Sequence, residues 1–334
     1  MKQQPLVSIC LPCYGRVEYV RNTLQSIYED NKEVSLNDYE IVISDNDPNQ
    51  EIRSLVSEFN YPNIHYHYTE CEGFMNSYHV LTYAQGKLLK LHNSQVTFRK
   101  GSLVELIKGV KVNLNSKPLI FYTNGLLYLG ETAKFETFDD FFYALSYWPS
   151  WSNGFSIWKE DFDKLGTISL NNLFPHTSLF ISQHNKRSYI VNDYHWFDTQ
   201  RVKGRSGHNK FEAFTIEFPS LVDECYQNHW LSLKTMKHIL HGLMVEYLPT
   251  LLFNKYIVRI ENYEITGYKN YIKRYFPKGA YWIVWLCVTL VPFRMIVRRI
   301  HEGGLNSSRG GVNEVNTFMI RIPSMGQTQE RRAA

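Results

Sequence analysis

The chain has 334 residues, of which 44% are hydrophobic and 20% charged, and its formal net charge is +4 at pH 7. The hydrophobic fraction is sufficient for a packed core, so wholly disordered chains, collagens and disulfide-stapled miniproteins are excluded. The weak net charge lacks the strong basic excess of nucleic-acid-binding proteins, and we expect no nucleic-acid partner.

The cysteines and the N-terminal segment predict a cytoplasmic protein. Five scattered cysteines favour reduced thiols over a disulfide framework. Cys10 and Cys13 form a single C-x-x-C, but no second pair completes a zinc site. The first residues lack the continuous apolar segment of a signal peptide.

Short apolar segments alternate with segments of helical spacing in the first third of the chain. This alternation predicts βαβ units and a parallel sheet, with ligands at the carboxyl ends of the strands. The first strand is expected to stop before Pro12, because proline interrupts strands. The predicted strands are 6–11, 39–44, 63–68, 86–92 and 118–124, and the predicted helices are 20–28, 51–59, 75–84 and 103–110.

Beyond residue 143 the pattern loosens into aromatic stretches rich in Gly, Asn and Ser, which typically shape a binding surface. Trp148, Trp151 and Trp158 suit either stacking on sugar faces or burial in the core. Long apolar-periodic segments then predict helices between residues 214 and 263.

Residues 255–301 contain nine Lys or Arg and two acids, and they enclose the uncharged aromatic segment 280–293. That segment is shorter than the ~20 residues that span a bilayer as a helix. We expect an in-plane helix whose flanking cations meet anionic headgroups at residues 270–300. The alternative is a buried core helix with basic flanks. The tail from residue 303 is expected to be disordered.

Polar side chains follow the first two predicted strands. Asp45 at a strand end can accept hydrogen bonds from a base or a ribose. Tyr14 can stack on a base, and Arg16 can pair with a phosphate. Each of these residues alone is also an ordinary turn residue.

Three segments resemble the inverting family 2 glycosyltransferases of the GT-A fold, in particular bacterial O-antigen and capsule enzymes. VSICLPCYGR matches the usual V-S-I-I-I-P-T-Y-N-R except at Cys13 and Gly15, and EIVISDND matches E-I-I-V-x-D-D/N-x-S and places the base-binding aspartate at Asp45. EGFMNSYHVLTYAQGKLLKL keeps part of a third signature, including Asn76.

The resemblance implies an α/β, GT-A (Rossmann-like) fold with a mostly parallel sheet flanked by helices and a helical C-terminal extension. It implies a glycosyltransferase domain over 1–215 (donor half 1–110, acceptor half 111–215). The apolar periodicity and the basic cluster, not the resemblance, predict a helical, basic, membrane-associating region over 216–302, and composition predicts a tail over 303–334. The donor-binding residues that it implies are Pro12, Tyr14, Arg16, Glu18, Asp45, Asp47, Asn76, Lys90, His92, Asn93 and Ser94.

The sequence departs from the family after the fourth strand, where D-x-D carboxylates normally hold Mg²⁺ or Mn²⁺. The corresponding KLHNSQVTFRKGSL contains no carboxylate. Cations such as Lys90, Arg99 or Lys100 could neutralise the diphosphate instead. Alternatively, His92 and Asn93 bind a softer metal, or catalysis is lost. We therefore expect no D-x-D-bound metal cofactor.

Inverting transfer also requires a base near the acceptor hydroxyl. The family often has an acid in the segment that corresponds to NNLFPHTSLF, where this chain offers only His176. A neutral imidazole can act as a base near pH 7, although a single histidine is more often structural. The weaker candidates are Asp161 and Asp163, followed by Asp139 and Asp140.

These features predict an enzyme that moves a hexose or deoxyhexose from a nucleotide-sugar to a lipid-linked saccharide in surface polysaccharide biosynthesis. It would lie peripherally on the inner face of the cell membrane. The alternative from another class is a catalytically silent binding or scaffold subunit of a polysaccharide assembly complex. A nucleotidyltransferase is disfavoured, because that chemistry depends even more on metal-binding carboxylates.

Overall fold

The computed structural model describes residues 4–200, 209–259 and 264–297. The predicted tail, 303–334, lies outside the described residues. The strands, numbered along the chain, are β1 (Val7–Cys13), β2 (Tyr39–Asp45), β3 (Ile64–Tyr68), β4 (Leu88–Leu91), β5 (Val96–Phe98), β6 (Leu119–Tyr122), β7 (Thr132–Phe135), β8 (Ser156–Trp158), β9 (Tyr189–Asn192) and β10 (Phe197–Thr199).

The helices surround these strands and dominate the C-terminal third. They are α1 (Val17–Tyr28), α2 (Glu51–Phe59), α3 (Asn76–Tyr83), α4 (Ser102–Asn113), α5 (Phe138–Leu145), α6 (Lys159–Asp163), α7 (Pro175–Ile181), α8 (Lys210–Glu212), α9 (Phe218–Gln227), α10 (Leu233–Gly242), α11 (Leu248–Phe253), α12 (Tyr268–Tyr271), α13 (Ala280–Val288) and α14 (Val291–Val297). Short π-helical segments at Ala213–Glu217, Leu243–Tyr247 and Asn254–Val258 flank α9 and α11.

The main sheet has five strands in the order β3-β2-β1-β4-β8. The first four are parallel, and β8 runs antiparallel to β4. A three-stranded sheet, β6-β9-β7, and the antiparallel pair β10-β5 complete the strand structure of the described residues. The expectation of an α/β fold with a mostly parallel sheet and a helical C-terminal part is confirmed.

The first strand continues through Pro12 to Cys13 instead of stopping before the proline. The carbonyl of Cys10 accepts from the His92 N–H on the β4 side, so the nitrogen of Pro12, two residues on, faces the same side. The β1–β4 ladder ends at the pair Cys10 and Leu91. Because no partner strand lies opposite Pro12 on that side, the missing N–H interrupts no ladder bond.

The two faces of the main sheet belong to two hydrophobic clusters. Ile9 and Leu11 on β1 pack with α1, α2 and α4, whereas Cys10 faces the cluster that contains α3, α5 and the C-terminal helices. This division follows from the alternation of side chains along a strand. The second cluster continues from Cys10 to Val288 without interruption at residue 215. The C-terminal helices therefore share their core with the predicted acceptor half.

The aromatic residues of the acceptor half divide into core and surface. Trp148 and Trp158 are buried, and the Trp158 indole N–H donates to the carbonyl of Pro118 at 2.7 Å. Both rings are therefore core residues. Trp151 is half-buried and is the one of the three tryptophans that retains an accessible face.

Candidate donor and acceptor site

The turn from β1 into α1 adopts two consecutive left-handed residues, Gly15 (φ 55°) and Arg16 (φ 60°). A Cβ atom on Gly15 would lie 2.9 Å from Oδ2 of Asp47. Both the backbone conformation and the neighbouring carboxylate therefore favour glycine at this position. This accounts for Gly15 at the position where the family usually has asparagine.

Asp45 ends β2 opposite Cys13, at the edge of the sheet where β1 and β4 also end. Its side chain is buried, and its Oδ1 accepts from the backbone N–H of Asp47 at 3.0 Å. Its Oδ2 accepts from the Tyr66 hydroxyl at 3.0 Å. Burial raises the pKa of Asp45 above its ordinary value, and the two hydrogen bonds oppose that shift.

Asn76 ties these strand ends together from the start of α3. Its Nδ2 donates to the carbonyls of Ser44 (2.8 Å) and Cys13 (3.1 Å), and its Oδ1 accepts from the Ser44 hydroxyl at 2.6 Å. A further bond at 3.0 Å joins Nδ2 to the side-chain oxygen of Asn46. Asn76, which the resemblance assigns to donor binding, therefore holds the β1 and β2 ends in register.

Lys90 points into the protein and not toward the cleft at the strand end. Its side chain is fully buried, and its ammonium donates to the carbonyls of Leu91 (2.8 Å) and Asn153. It also lies 5.0 Å and 5.1 Å from the ring centroids of Tyr122 and Phe197. Burial lowers the pKa of Lys90 to about 7. The expectation that this side chain meets the diphosphate is not supported by its orientation.

His92, in the stretch that corresponds to the family's D-x-D region, is also buried. Its Nε2 lies 2.7 Å from the carbonyl oxygen of Val96, so this nitrogen carries the hydrogen and donates it. Its Nδ1 is buried and has no hydrogen-bond partner among the described residues. Burial lowers the pKa of His92 to about 3, which leaves the imidazole neutral at physiological pH.

The residues after His92 are half-buried and connect the strand ends to the acceptor half. The Asn93 backbone N–H donates to Oδ1 of Asn153 at 2.8 Å, and the Ser152 hydroxyl donates to Oδ1 of Asn93 at 2.7 Å. Asn153 is buried, and its Nδ2 has no hydrogen-bond partner in the part of the chain that the structure describes. The segment around Ser152 therefore positions the loop in which the family carries its metal ligands.

The β4 loop also contacts the β1 loop. Ser94 lies within hydrogen-bonding reach of the Cys13 thiol, and Nη1 of Arg16 lies 3.5 Å from Oε1 of Gln95. Tyr14 is largely exposed beside this contact. The ends of β1, β2 and β4 thus form one polar edge.

The donor set at the end of β4 does not suit Mg²⁺ or Mn²⁺. Those ions prefer carboxylate oxygens, whereas this loop presents imidazole, amide and hydroxyl groups. No cluster of three or more His, Cys, Asp or Glu side chains is arranged to hold a metal ion within residues 4–200, 209–259 and 264–297. The absence of D-x-D from the sequence is therefore not compensated by acids from elsewhere in this part of the chain.

Three other charged residues lie away from this edge contact. Glu18 is exposed and lies 3.8 Å from Nε of Arg21. Arg99 lies 3.3 Å from a carboxylate oxygen of Asp198. Arg99 and Lys100 line an open polar cleft of about 430 Å³ beside the second half of α1.

His176 lies in the first turn of α7 and is buried. Its Nε2 is 3.0 Å from the carbonyl oxygen of Ser150, which fixes the hydrogen on Nε2, and its Nδ1 has no hydrogen-bond partner among the residues that the structure describes. Burial lowers the pKa of His176 to about 4. The imidazole is therefore neutral at pH 7 and keeps an unpaired Nδ1 lone pair next to the segment that contacts Asn93.

The four aspartates that we considered as bases all have structural partners. Asp161 and Asp163 form ion pairs with Lys186 (2.5 Å) and Lys159. Asp139 accepts from the Ser232 backbone N–H at 2.7 Å, and Asp140 accepts from the Thr137 hydroxyl at 2.7 Å. Thr137 is the N-cap of α5, and its hydroxyl oxygen also accepts from the Asp140 backbone N–H at 3.1 Å.

Sequence reasoning missed a carboxyl group beside this region. Glu246 is half-buried in the helical C-terminal part, and its Oε2 accepts from the Tyr147 hydroxyl at 3.2 Å. Burial raises the pKa of Glu246 to about 7. Tyr66 and Asn153 were missed as well. Tyr66 belongs to no recognised motif, and Asn153 lies in the Gly-, Asn- and Ser-rich stretch that predicts a binding surface but not this contact. Only the folded chain brings them to Asp45 and Asn93.

Residues 8–124 match the model of the family described as glycosyl transferase family 2. Among solved structures, the chain is similar to S. aureus TarS 1–349 in complex with UDP-GlcNAc (TM-score 0.52, 16% identity, 75% of this chain and 76% of that chain). The complex of TarS 1–349 with UDP gives a TM-score of 0.50 at 17% identity over 75% of each chain. No curated protein matches the chain significantly.

Proposed function

Because residues 8–124 match the glycosyl transferase family 2 model and the fold is that of GT-A enzymes, we propose that the chain transfers a sugar, with inversion, from a nucleotide-sugar to a lipid-linked saccharide of a surface polysaccharide. The observation that carries this proposal is the carboxylate of Asp45 at the end of β2, beside the left-handed turn at Gly15 and Arg16. The S. aureus TarS structure in complex with UDP-GlcNAc supports a nucleotide-sugar donor.

In the proposed reaction, the acceptor hydroxyl oxygen attacks the anomeric carbon while the bond from that carbon to the nucleoside diphosphate breaks. The hydroxyl proton passes to a base, and the nucleoside diphosphate leaves with the bonding electrons. Asp45 and Tyr14 hold the nucleotide. The polar groups of Asn93 and Ser94 face the diphosphate in place of a D-x-D-bound metal.

We assign the base to Nδ1 of His176, since this nitrogen has a free lone pair and its tautomer is fixed by Ser150. Glu246 is the competing candidate. The two differ in pKa, about 4 for His176 and about 7 for Glu246. A base must be deprotonated to act, so kcat/KM falls as the pH drops through its pKa.

Nucleoside diphosphate release tests the function with a panel of UDP-, GDP- and dTDP-sugars, a detergent-solubilised lipid-linked acceptor and EDTA. We expect turnover in EDTA with at least one donor. Nucleotide binding without turnover on any donor would instead support a catalytically silent binding subunit.

The base is tested on the same assay with His176→Asn and, as the matched variant, Glu246→Gln. General-base catalysis contributes about 10²–10⁴-fold, so His176→Asn should lower kcat by that factor and leave nucleotide affinity unchanged. Glu246→Gln should leave kcat within a few-fold. An acidic limb of kcat/KM near pH 7 that disappears in Glu246→Gln would transfer the role to Glu246.

A further inference from the structure

The helices α13 and α14 are apolar on both faces except at Arg294, which donates to the carbonyl of Val245. On their inner face Ala280, Val284, Cys287, Val288 and Val291 are buried, and Ala280, Val284 and Val288 belong to the core cluster. A helix that is apolar all round normally lies inside a protein or in a membrane. Here, however, the outer face remains exposed. We call it the α13–α14 surface, and it consists of Trp282, Leu286, Leu290, Phe293 and Ile296.

The exposure of this surface is large. Trp282 is 70% exposed, and Leu286 and Phe293 are each 67% exposed. Full burial of one such side chain stabilises by about 1.5–3 kcal/mol, so five of them on adjacent turns strongly favour transfer out of water. Single exposed apolar residues are ordinary, but a contiguous patch typically marks an interaction site.

Cations surround the α13–α14 surface. Lys273, Arg274 and Lys278 are exposed in the segment that leads into α13, and Lys269 lies 5.3 Å from the ring centroid of Tyr281. Within the described residues 264–297, Glu264 is the single acid. Lys273 and Lys278 form no ion pair with any carboxylate in the part of the chain that the structure describes. These charges are therefore available to an anionic partner.

The helix geometry favours a position in the membrane plane. Among the described residues, no single helix is long and apolar enough to cross a bilayer, although the bent pair of α13 and α14 meets that criterion jointly by length and composition. The two helices are bent by 52° relative to each other. Because their inner face is packed against the protein, only the outer face can enter lipid.

We propose that the α13–α14 surface inserts into the interfacial layer of an anionic lipid bilayer, with Lys273 and Lys278 at the headgroups. Trp282 suits this layer because indole rings prefer the boundary between apolar chains and polar headgroups. A second copy of the chain is the less suitable partner, since a symmetric contact would bring the two sets of cations together. The argument for this surface does not depend on sugar transfer.

Vesicle flotation of the full chain tests this proposal without donor or acceptor, so its result is independent of enzyme activity. The vesicles contain phosphatidylcholine alone or with phosphatidylglycerol. We expect the wild type to float with the anionic vesicles and the double variant Leu286→Glu, Phe293→Glu to lose at least tenfold in partitioning. The matched control is Val112→Glu on α4, since Val112 is 82% exposed but stands alone, and it should float like the wild type.

The charges are tested with Lys273→Gln and Lys278→Gln, each of which should weaken anionic-vesicle binding about fivefold. Quenching of tryptophan fluorescence by brominated lipid tests insertion with a variant that keeps the surface apolar. Wild-type fluorescence should be quenched, and Trp282→Phe should remove part of that quenching.

Three outcomes would overturn the proposal. One is equal flotation of the wild type and the Glu double variant. Another is retention of the protein on vesicles in alkaline carbonate, which indicates a spanning segment. The third is self-association of the wild type in lipid-free buffer that the Glu double variant abolishes, which assigns the surface to a second copy.

Discussion

The ends of β2 and β4 lie at the same edge of the sheet, yet their polar residues are used differently. At the end of β2, Asp45 accepts two hydrogen bonds close to a left-handed turn that favours glycine at position 15. At the end of β4, Lys90 and His92 point inward and bond to backbone carbonyls. The first strand end carries Asp45, whereas the stretch after the second contains no carboxylate.

The difference between the two strand ends shows how the β4 loop is held without D-x-D carboxylates. A carboxylate pair at the end of β4 would be held near the cleft by a bound cation. Without the carboxylates, the loop is held by Asn153 and Ser152 through hydrogen bonds to Asn93. The acceptor half therefore supplies the order at β4, whereas β2 is ordered by its own turn and by Asn76.

The largest effect is expected at the end of β2. Asp45→Ala removes a buried carboxylate that we assign to the nucleotide, and loss of a hydrogen-bonded buried charge costs about 2–5 kcal/mol in binding, or 30-fold or more in affinity. Isothermal titration with the nucleoside diphosphate of the active donor measures this change.

Two variants serve as controls. One removes the Tyr66 hydroxyl, which donates to Asp45, and the other keeps the shape of the Asp45 side chain. Tyr66→Phe keeps the carboxylate and frees Oδ2, so nucleotide affinity should stay within a few-fold of the wild type. Asp45→Asn preserves the shape but converts one acceptor into a donor, and it should bind as weakly as Asp45→Ala. Unchanged affinity in a folded Asp45→Ala protein would show that the nucleotide site lies elsewhere.

A smaller and opposite effect is expected at the end of β4. The Lys90 ammonium is buried without a carboxylate partner, so Lys90→Met should stabilise the protein at pH 7 by about 1–3 kcal/mol. Denaturant unfolding at pH 7, 8 and 9 measures the free energy of unfolding. The control is Lys108→Met, which removes an exposed pair with Glu105 and should change stability by less than about 0.5 kcal/mol.

The lowered pKa of Lys90 also predicts the direction in which stability changes with pH. The pKa of Lys90 falls from 10.5 to about 7 on folding, so between these values the unfolded chain binds the additional proton. Wild-type stability should therefore rise with pH in this window, by at most about 1.4 kcal/mol per unit. The advantage of Lys90→Met should shrink toward pH 9. A destabilised Lys90→Met protein would mean that the carbonyl bonds outweigh the burial of the charge.

The contrast between β2 and β4 also explains which parts of the fold could be predicted from the sequence. The helix predicted at 51–59 coincides with α2, and β2 was placed to within one residue, because both segments have clear periodicity and polar boundaries. The side-chain direction of Lys90 was not predictable, since every residue of β4 is buried and a strand without alternation gives no signal for its two faces. The three-residue strands β5, β8 and β10 are too short to produce a pattern.

The candidate site residues also divide into those that the sequence predicts and those that only the structure shows. The motif-bearing positions Asp45 and Asn76 were found from sequence, and the structure brings both to the β1 and β2 ends. Asn153 lies 60 residues from its partner Asn93, and the Asn- and Ser-rich stretch that contains it does not indicate this contact. Contacts of this kind arise from packing between the two halves, which local patterns do not encode.

The smallest expected effect concerns the turn that shapes the β2 side of the site. Gly15→Ala places a methyl group 2.9 Å from Oδ2 of Asp47 at a φ of 55°, so we expect a loss of about 1–2 kcal/mol in the free energy of unfolding. Nucleotide affinity should fall as well, because Asp47 must move. Gly109→Ala is the matched control, since Gly109 lies inside α4 with open space around its Cβ position and should gain about 0.5–1 kcal/mol. Gly15→Ala with wild-type stability and affinity would show that the turn relaxes freely, and the contrast between the β2 and β4 ends would then rest on Asp45 alone.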